Sequence, residues 1–219
     1  MFWYLVLAHL IADYPLQPTW MVNNKTRWTV LAMHVLIHYA VSLIVVGSAR
    51  STIWPHLLVL ALLHLVIDIG KITLNKLRPK WVIMPYIVDQ FLHFVTMGLF
   101  IVWIDNQFGE QFLALQPFWL ILIIGYLLVT YVWYINERIL SYNNSAYREE
   151  VVNQVWIRMI TRATLLTAML FLLGWLSPVS LSAALFVNLP YISSKYRFRI
   201  LVTDLFVSIG GMLFIISTL

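Results

Sequence analysis

The sequence of 219 residues contains no cysteine. Disulfides, thiolate metal ligands and a cysteine nucleophile are thereby excluded. Charge is almost as scarce. Asp, Glu, Lys and Arg make up 11% of the chain, against about a quarter in a soluble domain. Hydrophobic residues make up 62%, and the mean hydropathy is +0.85. That balance excludes a soluble globular fold. Glycine-rich phosphate loops, a Ser–His–Asp order and nucleic-acid motifs are also missing. The net charge of +5 does not point to nucleic acid, because the basic residues gather at the ends of apolar runs. Met1 to Ala8 lacks a basic n-region, and His9 and Asp13 interrupt the apolar stretch, so the start does not read as a cleaved signal peptide.

What the chain does have is long apolar runs. They predict an all-α, polytopic transmembrane helix bundle of seven to eight spans. The expected spans are 2–19, 28–48, 54–74, 82–104, 117–136, 155–175, 178–193 and 200–218. We read 1–219 as a single membrane domain, with a metal-site half at 1–104 and an apolar supporting half at 105–219. The stretch 137–154 is polar and too short for a core of its own, so it reads as a connector. Ten of the fourteen Lys and Arg fall in the odd-numbered loops, from Lys25 and Arg27 to Lys195, Arg197 and Arg199. The positive-inside rule then places those loops in the cytoplasm and both termini outside. Trp20, Trp28, Trp81, Trp133 and Trp156 fall near the cytoplasmic ends, and Trp54, Trp103, Trp119 and Trp175 near the outer ends.

Five of the six histidines form i,i+4 pairs inside apolar spans: His9/Asp13, His34/His38, His64/Asp68 and Asp89/His93. Spacing of four puts both side chains of a pair on one helix face. Each of the first four spans carries one such pair. At a rise of 1.5 Å per residue, all four pairs lie about 8–18 Å from the cytoplasmic border. A shift of 55 positions carries His9, Asp13, His34 and His38 onto His64, Asp68, Asp89 and His93, so the first four helices read as a parallel repeat of two hairpins.

An aspartate within lipid needs a partner. Three Asp and five His facing one another meet that need by sharing a divalent cation, zinc first, with iron or manganese as alternatives. Eight candidate ligands suit one ion with supporting residues or two ions. The competing reading is a hydrogen-bonded polar core that only fixes helix register.

Other polar residues divide between function and packing. Gln17 extends the His9/Asp13 stripe, either orienting a ligand or marking the membrane border. Gln90 neighbours Asp89 but lies about 100° around the helix, which favours interface packing over support of the site. Lys71, three residues after Asp68, either faces a phosphate oxygen or an oxyanion or snorkels to the border. Arg158 and Arg162 read as lipid-phosphate contacts or snorkelling side chains ahead of a substrate clamp. His56 is given no role.

The motif set His9-Leu-Ile-Ala-Asp13-Tyr-Pro-Leu-Gln17, Lys25, His34, His38, His64-Leu-Val-Ile-Asp68 with Lys71, and Asp89-Gln90-Phe-Leu-His93 resembles a bacterial family of polytopic inner-membrane proteins. That family carries a domain of unknown function and often stands beside SatD-type proteins. Ser194-Lys195 and Arg197-Phe198 are similar to its C-terminal elements. Thr161 replaces an acidic residue common there, and Asp204 stands where Glu is usual. The resemblance implies a bacterial inner-membrane location and the position of the site, not a reaction. The His-x-x-x-Asp helices also look like those of membrane-bound metal-dependent hydrolases, by analogy.

Three functions follow. The first is a metal-dependent hydrolase of a membrane lipid or amphipathic substrate, with Asp13 or Asp68 as base or ligand and Lys71 on the anionic group. A di-iron oxidase is a variant of it, with fewer histidines than such enzymes carry. The second is a transporter of divalent metal or protons. The third is a structural membrane subunit with a polar core.

Overall fold

Proline decides where the first helix stops. In a computed structural model that describes residues 1–108, 115–172 and 195–219, helix α1 (Phe2–Asp13) ends two residues before Pro15. Pro15 has no N–H for the Ile11 carbonyl, which accepts from Leu16 instead at 3.1 Å. Pro18 is extended and starts the short α2 (Thr19–Asn24). The run expected as a span over 2–19 is therefore a 12-residue helix followed by a turn.

The other helices follow the apolar runs. They are α3 (Trp28–Val45), α4 (Arg50–Leu77), α5 (Ile83–Phe108) and α6 (Pro117–Leu140), then α7 (Ser145–Asn153), α8 (Val155–Thr167) and α9 (Arg197–Thr218). A single turn at Gly47–Ala49 leads into α4, and Gly47 takes φ +64°, which favours glycine. Wider π turns interrupt α6 at Leu128–Val132 and extend α8 through Ala168–Leu172. No strand occurs among the described residues. Among the described residues, five helical stretches are long and apolar enough to cross a membrane: Trp28–Val45, Gly47–Leu77, Ile83–Ile104, Pro117–Leu140 and Arg197–Thr218. The expected seventh span, the end of the sixth, Trp175 and Ser194 lie outside the described residues.

The chain forms two compact units, residues 1–120 and 121–219. In the first, α1 packs on α3, α3 on α4, α4 on α5, and α5 back on α1. The buried stripes explain this closed ring. α4 buries Ile53, Leu57, Ala61, His64 and Asp68, and α5 buries Asp89, His93, Met97, Phe100 and Ile104. Steps of three and four residues keep each stripe on one face. Each stripe is polar at one end and apolar at the other. α4 and α5 run in opposite directions, so their polar ends meet. The outward faces are apolar too: Leu62 and Val66 on α4, and Phe91, Leu99 and Val102 on α5, are more than half exposed. A helix apolar on both its inner and outer faces is built for hydrocarbon on the outside.

The second unit packs α9 against α6 and α8. Two glycines allow the approach. A Cβ on Gly125 would meet Ile215 Cδ1 at 2.5 Å, and one on Gly211 would collide with Val129. This unit also encloses an ionic cluster. Arg158 reaches Asp204 at 2.6 Å and Glu137 at 2.8 Å, and Arg162 reaches Asp204 at 3.0 Å. The Tyr147 hydroxyl donates to Glu137, and burial followed by that carboxylate pushes its pKa up, keeping it a donor. Two guanidiniums thus meet two carboxylates, all at most 5% exposed. Arg158 and Arg162 do not snorkel or reach for lipid phosphate, as the sequence had suggested, because both are pinned within the unit. The half expected to be apolar owes part of its order to charge.

Removing one member would leave a buried, unpaired charge, which typically costs about 3–5 kcal/mol. Asp204→Asn is expected to lower the thermal unfolding midpoint in detergent by several degrees, followed by tryptophan fluorescence. Asp204→Glu is expected to restore most of it.

Candidate metal centre

Each helix of the four-membered ring delivers one polar pair to the same layer: His9 and Asp13 from α1, His34 and His38 from α3, His64 and Asp68 from α4, Asp89 and His93 from α5. The side chains converge. His38 Nε2 lies 2.8 Å from Asp13 Oδ1, and His34 Nε2 lies 3.2 Å from the same oxygen. His34 Nε2 is also 3.2 Å from His64 Nε2 and 3.5 Å from Asp68 Oδ2. The His64 ring sits 3.7 Å from the His38 ring centre and stacks on His93 at 4.1 Å. Asp13, His34, His38 and His64 each offer a ligand atom, all within 4.8 Å of one another, and His64, Asp68 and His93 do the same. His64 belongs to both groups.

The layer is dry. None of the eight side chains is more than 10% exposed. Each carboxylate must therefore be answered from within the protein. Asp68 accepts from Lys25 Nζ at 3.0 and 3.2 Å. Asp89 accepts from Lys71 Nζ at 2.6 Å. Asp13 has no lysine among its contacts. It is held by His38, His34 and the Gln90 amide, and by His9 at 3.6 Å. It also ends α1, where the negative end of the helix dipole adds to the cost of its charge. Two buried atoms, Asp89 Oδ1 and His93 Nε2, lack a hydrogen-bond partner although they lie only 3.3 Å apart. Imidazole nitrogens crowd carboxylate oxygens here with too few protons to join them all. Such a donor set suits a divalent cation.

Supporting residues surround the layer at one edge. The Gln17 amide lies 3.0 Å from both ring nitrogens of His34. Gln90 donates to Asp13 at 3.3 Å and to Asp89 at 3.2 Å, and its oxygen lies 3.4 Å from His9. The sequence reading favoured packing for Gln90. Its 100° offset from Asp89 instead aims it at α1, and its length bridges two helices. Lys71, read as facing an anionic group or snorkelling, pairs with Asp89 on the neighbouring helix. Lys25 carries no role in the sequence reading because it sits in a connection, yet it closes on Asp68. Tyr14 and Tyr86 join hydroxyls at 2.9 Å beside Gln90, and no sequence signal singles them out. Arg158 and Arg162 belong to the second unit's own cluster. His56 lies with its ring tilted 59° against that of Trp103 at 4.8 Å, away from the layer.

On the other edge, His9, His38, His64 and His93 face a cavity of about 30 Å³. Leu5, Leu60, Ala61 and Met97 help close it, with Ser42 and Thr96. It has room for about two waters.

The family described as Protein of unknown function (DUF3307) matches residues 1–119, and the chain belongs to it. The match covers the whole of the polar layer. No curated protein and no solved structure matches the chain.

Gln90 ties two ligand carboxylates together, and loss of such support typically weakens metal affinity about 10- to 100-fold. Gln90→Leu is expected to weaken zinc binding within that range, read by competition with a chromophoric chelator. Gln90→Glu tests the same position with the amide donor removed and a charge added, and is expected to be no better than Gln90→Leu.

Proposed function

We propose that the chain is an integral-membrane, metal-dependent hydrolase acting on a lipid or amphipathic substrate. The observation that carries this reading is the buried convergence of Asp13, His34, His38 and His64 from three helices, with Asp68 and His93 beside them. We take the ligands from His9, Asp13, His34, His38, His64, Asp68, Asp89 and His93, and the ion as zinc, or else iron or manganese, at one or two per chain. A bound divalent ion supplies Lewis acidity and acidifies a coordinated water.

The remaining steps belong to side chains. Asp13 is the base we favour, with Asp68 as its alternative. Asp13 is the most exposed carboxylate of the layer, at 10%, and it lacks a lysine that would hold it as a fixed counter-ion. The rings of His34, His38 and His64 turn nitrogens toward one another and toward Asp13. Gln17 and Gln90 orient His34 and the two carboxylates. Lys71 faces the negative charge that develops on the substrate. Beyond the cavity the buried stripes of α4 and α5 continue as apolar Leu57, Ile53, Phe100 and Ile104, which favours an enzyme over a conduit.

We place the protein in the bacterial inner membrane, multi-pass, with both termini outside and the layer nearer the cytoplasm. This follows the loop charges of the sequence. We read α1 with α3 and α4 with α5 as a parallel repeat of two hairpins, on the shift of 55 positions between their polar pairs.

The test is elemental analysis of the full chain in mild detergent, beside His64→Ala and Asp68→Ala of equal monodispersity. About one or two equivalents of zinc, iron or manganese are expected in the parent, with most lost in each variant. Occupancy is expected to fall on acidification, because protons compete for the imidazoles. The preparation is then screened for release of water-soluble product from lipid substrates, with metal flux into liposomes as the control. No stoichiometric metal after reconstitution with all three ions would overturn the reading.

A further inference from the structure

We propose that the edge of this layer formed by Lys25 and Lys71 binds a phosphoryl group. The inference rests on the metal-centre reading above and names the substrate class of that site.

Charge is the first ground. Asp13, Asp68 and Asp89 carry three negative charges, and Lys25 and Lys71 return two. Residues 1–104 contain no other acidic side chain. With neutral imidazoles the layer is left at minus one. One divalent ion turns that to plus one, and two turn it to plus three. A net positive layer buried in an apolar bundle calls for an anion, as a net negative one calls for a cation.

Placement is the second. The lysine side chains are 13% and 25% exposed, more open than the carboxylates and imidazoles they join. Lys25 arrives from the turn after α2, and Lys71 from the C-terminal part of α4, at the same end of the ring. The opposite side lies against the small cavity lined in part by Leu5, Leu60, Ala61 and Met97. Among the described residues of the layer, ammonium groups stand only at the first edge. The amides of Gln17 and Gln90 and the hydroxyls of Tyr14 and Tyr86 stand at this edge as further donors.

Geometry selects the anion. The two ammoniums sit on different carboxylates, on different helices, and each has three rotatable donors. A phosphoryl group presents three terminal oxygens in a tetrahedron. It can meet both lysines and still turn an oxygen toward the ligands below, whereas a carboxylate offers two oxygens in one plane. When a divalent ion takes up the charge of Asp68 and Asp89, the lysines are released to face that anion. Trp20, Val22, Trp81 and Met84 are exposed at the same end, an apolar flank for acyl chains.

The test uses the full chain in maltoside micelles, with metal content measured on every sample. Binding of inorganic phosphate and of dihexanoyl phosphatidic acid is measured by calorimetry, with dihexanoylglycerol as the uncharged control. The variants are Lys25→Gln and Lys71→Gln, with Lys25→Arg and Lys71→Arg as charge-preserving rescues. Metal-loaded parent is expected to bind one phosphoryl ligand and to ignore the glycerol compound. Each Gln variant is expected to keep its metal and bind at least about tenfold more weakly, and each Arg variant to recover most of the loss. A preference of about tenfold or more for phosphatidic acid over phosphate identifies a lipid head group as the source, and equal binding identifies a soluble phosphoryl species.

Metal-loaded parent that binds neither ligand would overturn the inference and leave the metal centre standing. So would Gln variants that bind as well as the parent, or that lose their metal. Phosphoryl binding that depends on both lysines in a parent without metal would uphold the anion site and overturn the metal-centre reading.

Discussion

A carboxylate removed from water has to be answered by a cation or by several hydrogen bonds, and three such carboxylates share one layer of the first unit. The effective penalty is several kcal/mol per ion after relaxation. That cost fixes the register of the ring. α1 must stop at Asp13, α4 must bring Asp68 under Lys25, and α5 must bring Asp89 within 2.6 Å of Lys71. Sliding any helix by a turn would leave a charge facing hydrocarbon or a bare histidine ring. The apolar remainder of each stripe fits more than one register; the polar end selects one.

The two units handle buried charge differently. Around Arg158 and Arg162 the ledger closes, with two cations on two anions and a tyrosine hydroxyl on one of them. The charges cancel there, and the cluster acts as a clasp between α6, α8 and α9. Around Asp13 it does not close. His34 and His38 of α3 both crowd one oxygen of Asp13, and no lysine is in contact with it. An arrangement whose charges cancel is a structural element. One left short of positive charge among converging imidazoles is the candidate site.

Much of this was readable without coordinates. The i,i+4 pairs stand out because polar residues are rare in these runs and the helical period is fixed, so their common face and depth follow from counting. What counting could not provide was the neighbour. Gln90 lies off the stripe of its own helix but on the border with α1, so its contacts depend on helix order around the ring. Lys25 lies in a turn whose path the apolar pattern does not specify. The face of Lys71 follows from its spacing, but its partner Asp89 belongs to another helix and cannot be counted to. Hydropathy registers Arg158 and Arg162 as costs and cannot see that Glu137, in a stretch read as a connector, cancels part of them. Hydropathy also ran the first span to 19, because Tyr14 and Leu16 score as membrane residues while the missing N–H of Pro15 does not score at all.

The closed side of the layer has an electrical meaning. The buried stripes of α4 and α5 continue past the histidines as Leu57 and Ile53 and as Met97, Phe100 and Ile104, all at most 4% exposed. In an energised membrane, most of the voltage falls across whatever low-dielectric material separates the two aqueous faces. If the layer is reached from the lysine edge, as proposed, that material is the apolar half of the bundle, and the layer lies near the potential of that side. Eight proton-binding groups could then sit inside a membrane without becoming a wire for protons. Reactions at the layer would exchange their protons with one compartment and do no work against the gradient.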